Sequence, residues 1–413
     1  MFDVQTQSDL FNEYISDGVV SQIRALSKMF DNIKKDWKQI NTSGEFATQK
    51  LMMGASQSSR AASNSTYPTP AESDPAKTTV FIKRAQMFTL KFDGLALEAA
   101  EMNGTPISPI EFEKKGIWQT ISNDISRQLV GDGSGRIAQA NGAGVATQTL
   151  VLDSPNYASL KKFFKAKRVI DIYTAAGVKE VDSVEIESID SDTQLTLKNA
   201  VTWSNDSWIY NEDVYTGSEG CGFGEMMGLG GIISGADPPV PNAAAGLQGL
   251  TVAAYPEWAA HVFDNGGVGR DLVEDLITEM LDDVEDYAQV DVMLYTKGLR
   301  RVWLSLLTSF KTLPNQKVMW GGWTGLPFYY DGREIPLVTD KYIADGHIEA
   351  LSNDSLIMHV LNPKIVTWEK GDAQNILQKV SGKNEFQAEG HIFSNLATDL
   401  RKAFGSLRDI NEP

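Results

Sequence analysis

Between Gly54 and Lys77 the chain reads GASQSSRAASNSTYPTPAESDPAK, and this stretch limits what the molecule can be more than any other. It has almost no large apolar side chain and carries Pro68, Pro70 and Pro75, so it cannot bury enough surface to form a core of its own. Leu51-Met52-Met53 precede it, and TTVFIKRAQMFTLKFDG follows, a run rich in β-branched and aromatic residues with strand character. Two strand-like flanks around a polar tip describe a two-stranded arm. Strands of ~15 to 20 residues would reach roughly 50 to 65 Å, at about 3.3 Å per residue. An isolated two-stranded ribbon is marginal in water and needs a surface to lie on. The expectation is that a neighbouring copy of the chain supplies it.

The rest of the chain is long enough for more than one lobe, at 413 residues. Its single cysteine, Cys221, excludes a disulfide framework within one chain and any cysteine-based zinc site, and it suits a reducing cytoplasm. The formal charge of −17 does not suit a protein that grips nucleic acid through phosphates, which needs basic patches. The short cluster Lys161, Lys162, Lys165, Lys167 and Arg168 reads as a solvated face beside a sheet. The opening MFDVQTQSDL is acidic and polar, unlike a secretory signal, and no run of about 18 apolar residues is present to span a membrane. These features favour a protein made and used inside a cell.

Along the chain, residues 8 to 40 read as an amphipathic helix, with Val19, Val20, Ile23, Leu26, Phe30, Ile33 and Trp37 on one stripe. Ser108-Pro109-Ile110-Glu111 supplies a cap, a proline at the first helical position and a glutamate at the third. Ile117, Trp118, Ile121, Ile125 and Leu129 then recur at helical spacing up to a stop at Gly131. Such a helix of about 22 residues is ~33 Å long, and Gly116 inside it marks a place for close packing. Residues 145 to 215 hold short alternating runs separated by Gly, Asp, Asn and Ser, which predicts a small barrel or sandwich. The glycine-rich GSEGCGFGEMMGLGGIISG reads as a hinge-like linker. The last third alternates helices (271–288 and 297–310) with strands, and so predicts an α+β lobe.

The motifs of catalysis and cofactor binding are not spelled. GDGSGR (131–136) lacks the lysine and the spacing of a phosphate loop and reads as a Schellman-type helix stop; GFGEMMG lacks the third glycine of a dinucleotide fingerprint. His261, His347, His359 and His391 are too dispersed for a helix-borne metal pair and read as surface or packing residues. Asp282, Asp283, Glu285 and Asp286 fit a wet helix face and lack the closing pattern of a calcium loop. No cofactor, metal or catalytic residue is assigned, and the chain reads as not an enzyme.

The order of parts, with LVGDGSGRIA, GFGEMMGLGGIISG, LQGLTVAAYPEW, TKGLRRVW, GGWTGLPFYYDGREIPLVTDKY and NLATDLRKAFGSLRDI, resembles the major capsid proteins of tailed bacteriophages with the Hong Kong 97-type fold. The resemblance implies an α+β fold with a helical N-terminal arm (1–47), an extended loop (48–92) and a peripheral domain (93–144) with its spine helix at 108–130. It further implies an inserted β domain (145–215), a return and hinge (216–270), an axial domain (271–350) and C-terminal peripheral strands (351–413). Lys50, Arg60, Tyr67, Lys77, Lys83, Arg84, Trp323 and Arg333 are the candidate inter-subunit contacts. By the same resemblance the chain would form pentamers and hexamers of an icosahedral shell in the virion, assembled in a host bacterial cytoplasm. Scaffolding, portal and decoration proteins would be its partners, and it would enclose DNA without sequence-specific binding or membrane contact. An encapsulin-type nanocompartment shell shares the expected fold. From a different class, a carbohydrate-acting enzyme with a β accessory module fits the same element order.

Overall fold

The computed structural model describes residues 28–38, 40, 46–54, 74–82, 85–93, 109–153, 157–215, 225–239, 245–309, 317–319, 323–363, 365–369, 376 and 378–412. Most of the expected N-terminal helix and the arm's tip, with Arg60, Tyr67, Lys83, Arg84 and Cys221, lie outside these residues.

A 22-residue helix, α2 (Pro109–Val130), runs through the middle of the molecule, beginning at the proline that favours a first helical turn. Trp118, Ile121, Ile125 and Leu129, spaced three and four apart, turn one stripe into the main core. The backbone N–H of Gly131 closes the helix on the Arg127 and Gln128 carbonyls, 3.0 and 3.1 Å away. The left-handed residues come later than a Schellman stop requires, at Gly133 (φ +79) and Gly135 (φ +76). Between them and the helix, Asp132 accepts hydrogen bonds from the Ser134 amide (3.0 Å) and hydroxyl (2.6 Å), and this local ring makes the turn. Gly116 does not mark close packing: no described atom lies within 4 Å of where its Cβ would stand.

Three β assemblies surround this helix. The first is a six-stranded sheet organised on β20 (Glu385–Thr398). The C-terminal half of β20 pairs with β17 (Leu356–Val360), and β17 pairs in parallel with β1 (Lys34–Asp36). The N-terminal half pairs with β4 (Ala85–Asp93), β18 (Thr367–Trp368) and β19 (Gln378–Lys379). The helical pattern at the N-terminus therefore stops early: α1 is Lys28–Asn32, and the backbone of 34–36 joins the sheet edge instead. Phe30 and Ile33 keep the burial that their stripe predicts, whereas Trp37 of the same stripe is exposed once tertiary pairing overrides the helical period.

The second assembly is a closed six-stranded barrel: β5 (Ala138–Ala140), β6 (Gly144–Asp153), β7 (Val169–Tyr173), β8 (Lys179–Ile189), β9 (Gln194–Trp203) and β10 (Trp208–Asn211). Closure removes the exposed edges that a free hairpin sheet would present. Leu150, Leu152, Ile170, Ile172, Val184, Ile186, Leu195, Leu197 and Ile209 fill its interior. A bidentate pair ties it to the spine, with Arg168 donating to Asp124 at 3.0 and 2.9 Å.

The third is a seven-stranded mixed sheet: β11 (His261–Phe263), β21 (Gly405–Leu407), β16 (Ile348–Leu351), β12 (Val292–Tyr295), β15 (Arg333–Thr339), β14 (Trp323–Tyr330) and β13 (Lys317–Met319). It has its own core, in which Ile277, Met280, Leu281 and Val284 of α4 (Glu274–Glu285) and Trp303 of α5 (Lys297–Ser309) pack on Met293, Phe328 and Leu407. The chain's last strand, β21, thus belongs to this sheet and not with the strands of 351–400, because it pairs with Ile348–Ala350 on one side and His261–Phe263 on the other.

The glycine-rich stretch is no hinge over its described part. Met226, Met227, Leu229, Ile232 and Ile233 are buried, and α3 (Leu229–Ile232) lies against the end of the spine. A Cβ on Gly228 would stand 2.2 Å from the Gln128 carbonyl oxygen and 2.6 Å from that of Gly131, so only glycine lets these backbones meet. Glycine here serves approach, not motion.

Candidate assembly interface

The arm is built from β2 (Phe46–Gly54) and β3 (Asp74–Phe81), two antiparallel strands of 9 and 8 residues. At about 3.3 Å per residue the longer spans roughly 30 Å. Ala47 stands opposite Val80, Thr48 opposite Thr79, Gln49 opposite Thr78, and Lys50 opposite Lys77. Successive side chains point to opposite faces of a strand, so the ribbon has two characters. Ala47, Gln49, Ala76, Thr78 and Val80 face inward and are buried. The outer face carries a rung of Phe46 and Phe81, their ring centroids 4.7 Å apart, then the two threonines, then the two exposed lysines.

The inner face is held by groups far away in sequence. Ala47, Val80 and Ile82 form a small apolar cluster with Ala397 of β20. Asn395 donates from Nδ2 to the Phe81 carbonyl (2.8 Å), while its Oδ1 accepts from the Met227 amide (2.9 Å). The Thr79 amide donates to the Gln248 carbonyl (2.9 Å), and the Gln248 side chain exchanges two hydrogen bonds with the Thr398 backbone at 2.7 and 2.8 Å. Gln49 meets the fully buried ring of His359, 3.2 Å from Nε2. With the Gln49 amide donating, the ring proton sits on Nδ1. Burial pushes the imidazole below its ordinary range, with nearby Asp36 opposing. The Gln49 Oε1 and His359 Nδ1 atoms are buried with no partner among the described residues.

Of the sequence-chosen contacts, the structure brings Lys50 and Lys77 together. Arg333 stands elsewhere and is engaged within its own chain, paired with Glu285 and donating to the Val290 carbonyl at 3.3 Å. Trp323 opens β14, its backbone paired with Met319. Sequence reading missed Gln49, Gln248, His359 and Asn395, the residues that root the arm. Their sequence signal is weak: Gln49, His359 and Asn395 are polar residues within strands, and Gln248 stands in a turn. Four of the five basic residues at 161–168 are partnered: Lys161 pairs with Asp192, Lys162 lies over the Tyr157 ring, Lys165 donates to Thr120, and Arg168 holds Asp124. His359 is a packing residue, fully buried, whereas His261, His347 and His391 each lie within 4 Å of a carboxylate.

Two buried cations brace the body of the subunit. Arg127 of the spine forms a two-point pair with Glu225; burial disfavours its charge, and Glu225 more than restores it. Arg401, wholly buried, donates instead to four carbonyls, those of Ile232 (2.7 Å), Trp258 (2.9 Å), Gly231 (3.2 Å) and Ala236 (2.6 Å). Burial pushes its guanidinium down to about 10.

A cleft of about 400 Å³ opens where the spine's end, the barrel and the seven-stranded sheet meet, lined by Arg136, Trp208, Arg408, His347 and Glu349 among others. Its charges are of mixed sign, and none of its described lining residues is a serine, threonine or cysteine. Among the described residues no group of three or more His, Cys, Asp or Glu side chains could hold a metal ion, and no helix is long and apolar enough to cross a membrane.

No protein-family model and no curated protein sequence matches the chain. Solved structures do. A chain of the cyanophage A-1(L) capsid asymmetric unit is similar over 93% of both chains, at 12% identity and a TM-score of 0.53. The capsid of an empty GTA particle aligns over 94% of this chain and 90% of its own, at 7% identity and a TM-score of 0.46. The holo-SrpI encapsulin complex from Synechococcus elongatus aligns over 93% of this chain and 87% of its own, at 7% identity and a TM-score of 0.42. The spine helix, the arm, the two sheets and the sequence's own order of parts thus converge on one architecture: the chain has the α+β Hong Kong 97-type capsid fold.

Proposed function

We propose that this chain is a major capsid protein, assembling through pentamers and hexamers into the icosahedral head that encloses the genome of a tailed double-stranded DNA phage. The observation that carries the reading is the alignment with a chain of a phage capsid asymmetric unit over 93% of both chains. The role is structural and not enzymatic. In this reading the six-stranded sheet with the spine forms the peripheral domain, the seven-stranded sheet the axial domain around the five-fold and six-fold axes, and the barrel an insertion that decorates or braces the shell. Scaffolding, portal and decoration proteins would be its partners, and the host bacterial cytoplasm the place of assembly.

Physically, the arm engages a second copy through a head-to-tail contact, which closes into rings. Several modest contacts per subunit let misplaced copies leave, while simultaneous engagement makes the completed shell hard to open. Electron microscopy and sedimentation of the purified, concentrated protein test this. Rings or shells are expected, and a compact single molecule at every concentration refutes it. Deleting residues 54–76 should leave a folded subunit that assembles poorly; normal particles from that deletion would remove the arm from the mechanism.

A further inference from the structure

Among the described residues, the arm's outer face finds no counter-charge in its own chain. Lys50 and Lys77 are directly opposed across the ribbon, both are exposed, and no described carboxylate pairs with either. Like charges directly opposite on a sheet repel. A second surface of the same chain has the complementary defect. One face of α4 buries Ile277, Met280, Leu281 and Val284, and the other exposes Glu274, Asp275, Glu279, Asp282 and Asp283, with Asp286 just beyond the helix end. Asp275, Glu279, Asp282 and Asp286 follow steps of four, three and four, so they share one stripe on which like charges repel. Within the chain Tyr330 donates to Asp282 (2.5 Å), and His261 lies 3.9 Å from Asp283. No ion pair joins Glu274, Asp275, Glu279 or Asp286 to a described residue.

The two surfaces are rooted on different bodies. The arm's root packs on Ala397 of the six-stranded sheet, and α4 packs on β11 and β21 of the seven-stranded one. Neither relieves the other in one copy. We propose that the outer face of β2–β3 docks on a second copy of this chain, with Lys50 and Lys77 seated on the acidic stripe of that copy's α4. The choice of a second copy rests on charge: every copy carries a net −17 and presents this stripe, so it offers the carboxylates that the lysine rung lacks. The contact is heterologous, arm to helix, and propagates around a ring as the shell reading, on which this inference rests, requires. The phenylalanine rung beside the lysines adds apolar area next to the ion pairs.

Two measurements test the inference on the full-length protein. Assembled particles made from mixed isotopically light and heavy chains are coupled with a zero-length carbodiimide and mapped by mass spectrometry. Mixed-isotope amides from Lys50 or Lys77 to Asp275, Glu279, Asp282 or Asp286 are expected, and couplings of these lysines only to other acids overturn the docking. In parallel, Lys50→Glu/Lys77→Glu should cut particle yield about ten-fold or more while leaving circular dichroism and thermal midpoint unchanged. Adding Asp275→Lys/Glu279→Lys/Asp286→Lys should restore it to within about two-fold. Full yield from the first variant, or no recovery in the combined one, sinks the proposal while leaving the shell reading intact. Failure of the unaltered chain to form rings or shells removes the shell reading and the docking with it.

Discussion

Removing the Arg401 side chain should cost this fold several kcal/mol. Its guanidinium donates to four backbone carbonyls, on the segment 231–236 and at Trp258, and none of its surface reaches solvent. Charge-assisted hydrogen bonds contribute roughly 1.5 kcal/mol each at the low end, so the four come to about 6 kcal/mol. Against this stands the cost of burying the charge. A guanidinium pushed down to about 10 has lost roughly 3 kcal/mol of favourable ionisation. The balance is about 3 kcal/mol, and truncation to alanine adds a cavity, so Arg401→Ala should destabilise the subunit by ~4 kcal/mol. Arg401→Met restores most of the volume and should still cost about 3 kcal/mol, because the carbonyls stay unpaired. Arg401→Lys keeps a charge without the planar fork and should fall between wild type and alanine. Chemical denaturation of the unassembled subunit measures the loss, and hydrogen exchange locates it: amides of 229–236 and 256–260 should lose protection first. An alanine variant within about 1 kcal/mol of wild type, with those amides still protected, would refute the reasoning.

Gly228→Ala drives a methyl group into the backbone carbonyls of Gln128 and Gly131, so a thermal melt should show a loss of ~3 kcal/mol, and an unchanged melt would contradict the close approach. Glu225→Gln leaves Arg127 buried without a counter-charge and should cost roughly 3 to 5 kcal/mol, whereas the double change Arg127→Met/Glu225→Leu should recover most of it in a double-mutant cycle. His359 is held below its ordinary pKa by burial, so on acidification the unfolded chain takes up the proton before the folded one does. Its contribution to stability is therefore complete above about pH 6.5 and is lost as the pH falls from there towards the folded pKa. Denaturation midpoints between pH 7 and 5 should drop less steeply in His359→Gln than in wild type, and parallel slopes would rule His359 out as the group responsible.

What local chemistry decides was readable from the sequence. The spine appears at Pro109–Val130 because its proline and its three-and-four spacing are contained within one stretch of chain. The barrel was legible from alternation and turn residues between Gly144 and Asn211, although Ala138–Ala140 escaped notice, since three residues carry no period. The polar stretch after Gly54 marks an arm for a compositional reason: it holds almost no large apolar side chain, although Ala76 near its end is buried on the inner face. The root of that arm was not legible. It joins Gln49 to His359, Phe81 to Asn395 and Thr79 to Gln248, pairs separated by well over a hundred residues, and no local pattern tells a buried asparagine from a solvated one. The early end of the first helix has the same origin, since the backbone at 34–36 finds hydrogen-bond partners on Ile357–His359 that its own sequence does not encode. Sequence alone determined the spine helix, the run of barrel strands and the polar arm, because those choices are settled within a few residues by sterics and hydrophobic period. Only the tertiary structure decided where the arm is rooted, that the glycines are sites of contact, and that two lysines face each other across a ribbon, because long-range pairing and burial act between residues the chain keeps far apart.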